Sequence, residues 1–330
     1  MPAEETLFSI VVPVYNRPQE LEELLRSLAH QSSHRFEVIV VEDGSTLRSE
    51  ELCRREWGFP VHYMEQENQG PARARNTGVG SPYCRSPWVL FFDSDCILPP
   101  NYILTCEDLL QDYPEVSLFG GPDAAAPDFN HWQKCVSYAM TSPFSTGGIR
   151  GGGEGADKFY PRTFNMGVRR SAFTEAGGFA DMRYGEDVDL SMRLCEAGGK
   201  SMLFKELFVY HKRRGNFRAF FRQIEHSGRA RIELRKRHPG TLRLVHMLPA
   251  VGVILLVVAA TCIYLPLTVG VLALGLLYGL IILLHALIRT RNMHVALLAV
   301  PACATMLMGY GVGLLVGLLG LERTPPAQEE

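Results

Sequence analysis

No two of the eight cysteines form a Cys-x-x-Cys pair, which removes a zinc site of that kind from consideration. Cys262 and Cys303 fall within apolar runs, so the thiols read as reduced packing residues and not as a disulfide framework. Net charge is nearly absent as well: 33 Lys and Arg against 35 Asp and Glu leave a formal −2, and such a total names no partner. Locally the balance fails. Between residues 205 and 243, twelve Lys or Arg face only Glu206, Glu225 and Glu233. Residues 247–288 then carry no Asp, Glu, Lys or Arg, and neither do residues 295–321, the signature of membrane-spanning helices. A basic stretch with no nucleic-acid-binding motif, set directly before apolar spans, points to anionic lipid headgroups and away from nucleic acid. Residues 1–6 are short and acidic and show no cleavable signal, so the N-terminal domain is expected to stay in the cytoplasm.

The first half alternates strand and helix. Residues 7–15 (LFSIVVPVY) are a β-rich apolar run, and Asn16, Arg17 and Pro18 turn into a helix with Leu21, Leu24, Leu25 and Leu28 on one face. Residues 36–41 repeat the strand pattern and end at Glu42-Asp43-Gly44-Ser45, before a polar helix over about 49–57. A weaker strand at 61–64 leads to Gly70-Pro71, where glycine allows the turn and proline suits the first helical position. Residues 88–95 (WVLFFDSD) read as a strand buried on both faces that stops in two carboxylates. This alternation predicts right-handed crossovers and a mostly parallel sheet with helices on both faces.

A helix over 101–112 and a strand over 116–119 follow, and the periodicity then dissolves between Gly120 and Pro161. The glycine-dense residues 146–155 read as a mobile substrate loop. A strand resumes at 164–168, Ser171 caps a helix, and Glu186 and Asp187 head another over 188–197. Strand-like residues 201–204 and 207–210 lead to His211. Beyond Asn216, Phe217, Phe220, Phe221 and Ile224 recur at helical spacing among arginines, which suits a helix in the membrane interface.

The expected organisation is a catalytic domain over 1–215, a basic amphipathic interface segment over 216–246, a membrane region over 247–321 with about three spans, and a polar tail over 322–330. The spans fall at about 247–265, 267–288 and 295–321, each at least near the roughly 20 residues a crossing needs. Arg289 and Arg291 sit in the second turn, and the positive-inside rule returns the chain to the cytoplasm there, leaving the tail outside.

Asp43, Asp93 and Asp95 each follow a buried strand, which in a parallel sheet brings them to one edge. Crowded carboxylates need donors or a cation to offset their charge, so the group predicts a ligand with donors, a divalent metal, or both. A nucleoside diphosphate linked to a sugar supplies both.

In sequence order, VVPVYNR at 11–17, VVEDGS at 40–45, Asn68-x-Gly70 with Ala74-Arg75-Asn76, Asp93-Ser94-Asp95 and Gly185-Glu186-Asp187 resemble the motifs of family 2 glycosyltransferases over about residues 7–211. The resemblance implies a GT-A fold, a nucleotide-sugar donor and transfer with inversion; a UDP-sugar is the expected donor. It implies that Pro13, Tyr15 and Arg17 border the base, that Asp43 accepts from it, that Arg75 lies near the nucleotide or its phosphates, and that Asp93 faces the ribose and metal side. Asp95 and His211 would hold Mg²⁺ or Mn²⁺, which neutralises the leaving diphosphate. Glu186 and Asp187 would supply the general base, with Asp187 the residue that takes the proton. Acids also favour helix starts for purely structural reasons.

The implied acceptor is a hydroxyl of a lipid-linked saccharide in cell-surface glycan assembly at the inner (cytoplasmic) membrane. Transfer to a polyprenyl phosphate is the alternative; it needs no base, and the acidic pair speaks against it. A catalytically silent membrane scaffold is a second alternative. Processive synthases carry Gln-x-x-Arg-Trp, whereas this chain has Arg222-Gln223-Ile224-Glu225 with no tryptophan, so one sugar is expected per acceptor. Sugar identity, linkage and oligomeric state have no signature in the sequence.

Overall fold

In the computed structural model, which describes residues 6–124, 129–146, 159–211, 216–261 and 265–321, the first apolar run is strand β1 (Phe8–Val14). Arg17 ends the turn, and α1 (Pro18–Ala29) starts on proline and buries Leu21, Leu24, Leu25 and Leu28. β2 (Phe36–Asp43), α2 (Glu50–Cys53), β3 (Val61–Gln66), α3 (Pro71–Gly80) and β4 (Trp88–Phe91) continue the alternation. The helix expected over 49–57 is a single turn. Gly58 takes a φ of 82° and Pro60 precedes β3, so the chain is extended again at once.

β5 (Cys96–Ile97), α4 (Tyr102–Asp112), β6 (Val116–Gly120) and β7 (Asp123–Ala124) follow, then α5 (His131–Thr141) and α6 (Pro143–Thr146). After a 3₁₀ turn at Thr163–Asn165 come β8 (Met166–Arg169), α7 (Arg170–Glu175), α8 (Glu186–Glu196), β9 (Lys200–Leu203) and β10 (Val209–His211). α9 (Phe217–Arg237), α10 (Leu244–Thr261), α11 (Leu265–Thr290) and α12 (Met293–Leu318) complete the chain. The glycines at 147–155 and the tail at 322–330 lie outside the described residues.

The chain divides into two units, Met1–Ala126 with Gly152–Lys212, and Pro127–Gly151 with Arg213–Glu330. In the first, seven strands order as β3-β2-β1-β4-β8-β6-β9, and β5, β10 and β7 make a smaller sheet. β1 to β4 are mutually parallel where they pair, while β8 runs antiparallel to both β4 and β6. One face packs Leu21, Leu25, Ile103 and Cys106 of α1 and α4 on Phe8, Ile10, Val12 and Leu90. The other packs Ala74, Phe173, Leu190 and Leu194 of α3, α7 and α8 on Val11, Ile39, Val89 and Phe91. Each fully buried Leu or Ile contributes about 1.5–3 kcal/mol. Gly78 lets α3 seat directly on the sheet, since a Cβ there would meet Val11 Cγ1 at 2.5 Å.

In the second unit α12 is the hub. α5 occupies part of the stretch where periodicity had dissolved: Asn130 accepts from the Gln133 N–H while Gln133 accepts from the Asn130 N–H, a capping box that fixes its start. Its Cys135, Tyr138 and Ala139 pack with Ala299, Cys303 and Met306 of α12. α9 buries Phe220, Ile224, Gly228, Ile232 and Leu234, and its apolar side meets α12. α10, α11 and α12 are each apolar and long enough to cross a bilayer. Their bounds differ from expectation chiefly at Pro266, which lies in the first turn of α11, where its missing N–H costs nothing.

Candidate active site

Because β1, β2 and β4 run parallel, their C-terminal ends lie along one edge of the sheet. At the end of β1, Asn16 adopts a left-handed φ of 53°. Its Oδ1 accepts from Thr46 N at 2.8 Å and Leu47 N at 2.9 Å, which ties this turn to the one after β2. Pro13 and Tyr15 flank it, both half-buried. Glu42, fully buried, accepts from Ser45 Oγ and from Ser49 N, so it organises the same turn from within. Asp43 Oδ1 accepts from Gln66 Nε2 at 2.7 Å and Gln69 N at 2.9 Å, and Oδ2 from Gly70 N at 2.8 Å. A carboxylate has about four acceptor positions, so these three bonds leave Asp43 room for one further donor.

After β4 the chain turns through Asp93, Ser94 and Asp95 into β5. β10 pairs antiparallel with β5 and sets His211 opposite Cys96. That register brings His211 Nε2 to 3.0 Å from Asp95 Oδ1 and 3.9 Å from Asp93 Oδ2. Arg17 Nη1 holds the other oxygen of Asp95 at 3.0 Å. Phe164 stacks on the His211 ring, centroids 4.9 Å apart, and fixes its plane.

Asp95, Cys96 and His211 offer ligand atoms within 4.8 Å of one another. Burial, reinforced by Asp93 and Asp95, pushes the Cys96 thiol well above its ordinary pKa, and its Sγ–H donates to the Phe164 carbonyl. The thiol is therefore protonated as the chain stands and spent on that carbonyl. What remains, carboxylate oxygen from Asp95 with Asp93 beside it and imidazole nitrogen from His211, suits Mg²⁺ or Mn²⁺ better than a thiophilic ion.

The third group stands at the start of α8. Gly185, at φ 85°, makes the left-handed turn that sets Glu186 and Asp187 in the first helical turn, both buried. Arg75, with 3% of its side chain exposed, joins this group to the previous one: Nη2 lies 2.6 Å from Asp93 Oδ1 and Nη1 3.3 Å from Glu186 Oε1. Burial, with the neighbouring Asp187, raises the Glu186 pKa to about 7 against the opposing pull of Arg75. Asp187 Oδ1 accepts from Val188 N at 2.8 Å, and Oδ2 lies 2.9 Å from Arg162 Nε. Asn76 exchanges two hydrogen bonds with the Phe179 backbone, at 2.8 and 2.9 Å, and so secures the loop leading to α8.

Arg17, Arg75, Asp93, Asp95, Glu186 and His211 thus form one chain of direct contacts, with Asp187 next to Glu186. Asp43 is bonded instead to the residues before α3. Arg162 was not foreseen; it follows a stretch without period, and only its charge beside Pro161 could have drawn attention to it. Asn165 was missed too, although its Nδ2 donates to Leu207 O at 2.6 Å and its Oδ1 accepts from Tyr102 Oη at 2.5 Å.

A family model described as glycosyl transferase family 2 matches residues 9–177. An uncharacterized glycosyltransferase of Haemophilus influenzae is 42% identical over 107 residues, 32% of this chain and 34% of that protein. The minor teichoic acid biosynthesis protein GgaA of Bacillus subtilis is 28% identical over 147 residues, 43% of this chain and 32% of that protein. The matched stretches span about a third of these relatives' lengths. Among solved structures, the mannosyltransferase PcManGT from Pyrobaculum calidifontis, in complex with GDP-Man and Mn²⁺, superposes with a TM-score of 0.66 at 19% identity, covering 97% of this chain and 89% of that one. At that identity the likeness is one of fold, the GT-A fold.

Proposed function

The chain belongs to glycosyl transferase family 2, and from that premise we propose that it moves one sugar, with inversion, from a UDP-linked donor to a hydroxyl of a lipid-linked saccharide. The observation that carries this reading is Arg75, whose buried guanidinium spans from Asp93 to Glu186 and so couples a donor-side acidic cluster to the acidic pair at the start of α8. In this reading Asp187 takes the proton from the acceptor hydroxyl. The hydroxyl oxygen bonds to the anomeric carbon as the bond from that carbon to the diphosphate oxygen breaks. Arg162 and the Val188 N–H orient the Asp187 carboxylate. Pro13, Tyr15 and Arg17 would border the base, Arg17 from beside Asp95, with Asp43 offering its remaining acceptor position.

Asp95 and His211, with Asp93 beside them, would hold Mg²⁺ or Mn²⁺, which when bound supplies positive charge to the departing diphosphate. The Mn²⁺ and GDP-Man of the Pyrobaculum structure support a metal and a nucleotide sugar here. The teichoic acid assignment of the Bacillus relative supports a cell-surface glycan, and the apolar helices support an acceptor held at the membrane. The catalytic unit would face the cytoplasm from the inner membrane.

The deciding experiment is sugar transfer by the purified full chain, with radiolabelled nucleotide sugars and either ion, to a lipid-linked saccharide and to bare polyprenyl phosphate. Transfer to the saccharide, lost in Asp187→Asn and in Asp95→Ala, is expected. Glycosylation of bare polyprenyl phosphate by an active Asp187→Asn variant would replace this reading with the polyprenyl-phosphate one, and failure to bind any nucleotide sugar would leave a silent scaffold.

A further inference from the structure

At the corner between α9 and α10 the second unit has an open cavity of about 320 Å³ lined by Arg235, Gly240, Leu242, Arg243, Leu244 and Met247. Lys236 and Arg237 of the same turn lie 3.7 and 3.5 Å from Glu233. Among the described residues no carboxylate pairs with Arg235 or Arg243. Beside the cavity, Arg231 Nη2 lies 2.8 Å from His246 Nε2, and the Arg243 backbone N–H points at His246 Nδ1 over 3.0 Å. A neutral imidazole accepts at one nitrogen only, so it cannot satisfy both donors. The corner therefore holds more N–H donors than protein acceptors among the described residues.

The rest of the wall is apolar and continues onto the outside of α10, where Leu244 is 88% and Leu248 65% exposed. α10 is long and apolar enough to cross a bilayer, so its first turn stands at headgroup depth. A ligand that fits both halves has oxygen anions for two guanidinium forks and a hydrocarbon portion for the leucines. We infer that this cavity binds the phosphate of an anionic membrane phospholipid, with Arg235 and Arg243 on its oxygens and Leu242, Leu244 and Met247 against its acyl chains. The site is independent of the donor and acceptor assignments above, since it requires only that α10 enter the membrane.

Native mass spectrometry of the full chain, released from mixed micelles of equal phosphatidylglycerol and phosphatidylcholine, tests it. One phosphatidylglycerol should be retained in preference to phosphatidylcholine. Arg235→Gln with Arg243→Gln should reduce that preference at least roughly tenfold, about 1.4 kcal/mol. Arg235→Lys with Arg243→Lys should keep most of it, and Lys236→Gln should leave it unchanged. The two single Gln variants, each with wild-type helical circular dichroism, decide the matter if the double variant does not fold. Equal retention of the two lipids, or an undiminished preference in the Gln variants, overturns the inference. So does displacement of the lipid by millimolar inorganic phosphate, which would mark a phosphate site with no lipid specificity.

Discussion

Arg75 is 3% exposed and touches two carboxylates, so its removal leaves more than a missing hydrogen bond. Glu186 is itself buried and would lose the guanidinium that counters its desolvation, a change that typically costs about 3–5 kcal/mol. Arg75→Gln should accordingly lower the apparent melting temperature and weaken nucleotide binding together; stability equal to wild type would mean that Arg75 is not the bridge. Glu186 gives a prediction with a sign. Its pKa rises from 4.5 to about 7 on folding, so between those values the native state binds more protons than the unfolded state, and stability falls as pH rises through the window. Gln at this position does not titrate. The melting temperature of Glu186→Gln relative to wild type should therefore increase from pH 5 to pH 8, and a difference independent of pH would contradict the shift. Asp93 and Glu186 were legible at a strand end and a helix start, and Arg75, inside α3, through the Ala74-Arg75-Asn76 motif of the family resemblance. Their joining through one guanidinium was not, since nothing local in the sequence relates α3 to α8.

The α9–α12 seam is the element-scale counterpart. A Cβ at Gly313 would lie 2.0 Å from Glu225 O, and one at Gly228 would lie 2.3 Å from Tyr310 O. Both obstacles are backbone carbonyls, which cannot swing aside as a side chain can. Gly313→Ala should therefore force the helices apart at about 1–3 kcal/mol. Gly275→Ala in α11, where nothing lies within 4 Å of the added carbon, should be neutral or stabilising by roughly 0.5–1 kcal/mol through helix propensity. Thermal unfolding of the two variants in one detergent separates the effects, and equal shifts would mean the seam is loose. The glycines of α12 are visible in the sequence, but only the partner helix gives their spacing meaning. α5 was missed for another reason. Its hydrophobic pattern is weak and it stands among glycines and prolines, so the Asn130–Gln133 box was the one local cue to its start. The β-strands were easier, because short continuous apolar runs such as residues 38–41 and 88–92 suit a sheet covered on both faces. β8 kept its strand pattern too, but its antiparallel direction depends on where the chain returns after residue 159.

Across the whole molecule the near-zero net charge conceals the separation that decides orientation. Of the most apolar windows, 11% is buried in α10 and 6% in α11, against 44% in α12. The first two therefore present hydrocarbon outward along most of their length, and in water that surface would have to be covered. A bilayer covers it. The basic residues from Arg229 to Arg243 precede α10, Arg289 stands in the last turn of α11 and Arg291 just after it, so under the proposed placement at the inner membrane the positive-inside rule predicts a direction for each helix. In that arrangement the start of α11 would face away from the cytoplasm and the start of α12 toward it. Leu265 and Met293, 70% and 52% exposed, mark those two ends. Most described native cysteines are buried, Cys195 being half-exposed, so replacing Cys195 and Cys262 by serine leaves a quiet background for labelling. In that background Leu265→Cys should react with a membrane-impermeant maleimide in intact cells, and Met293→Cys only after permeabilisation. The reverse pattern would place the basic corner and its two arginines outside, and labelling of both positions in intact cells would mean that α11 does not cross at all.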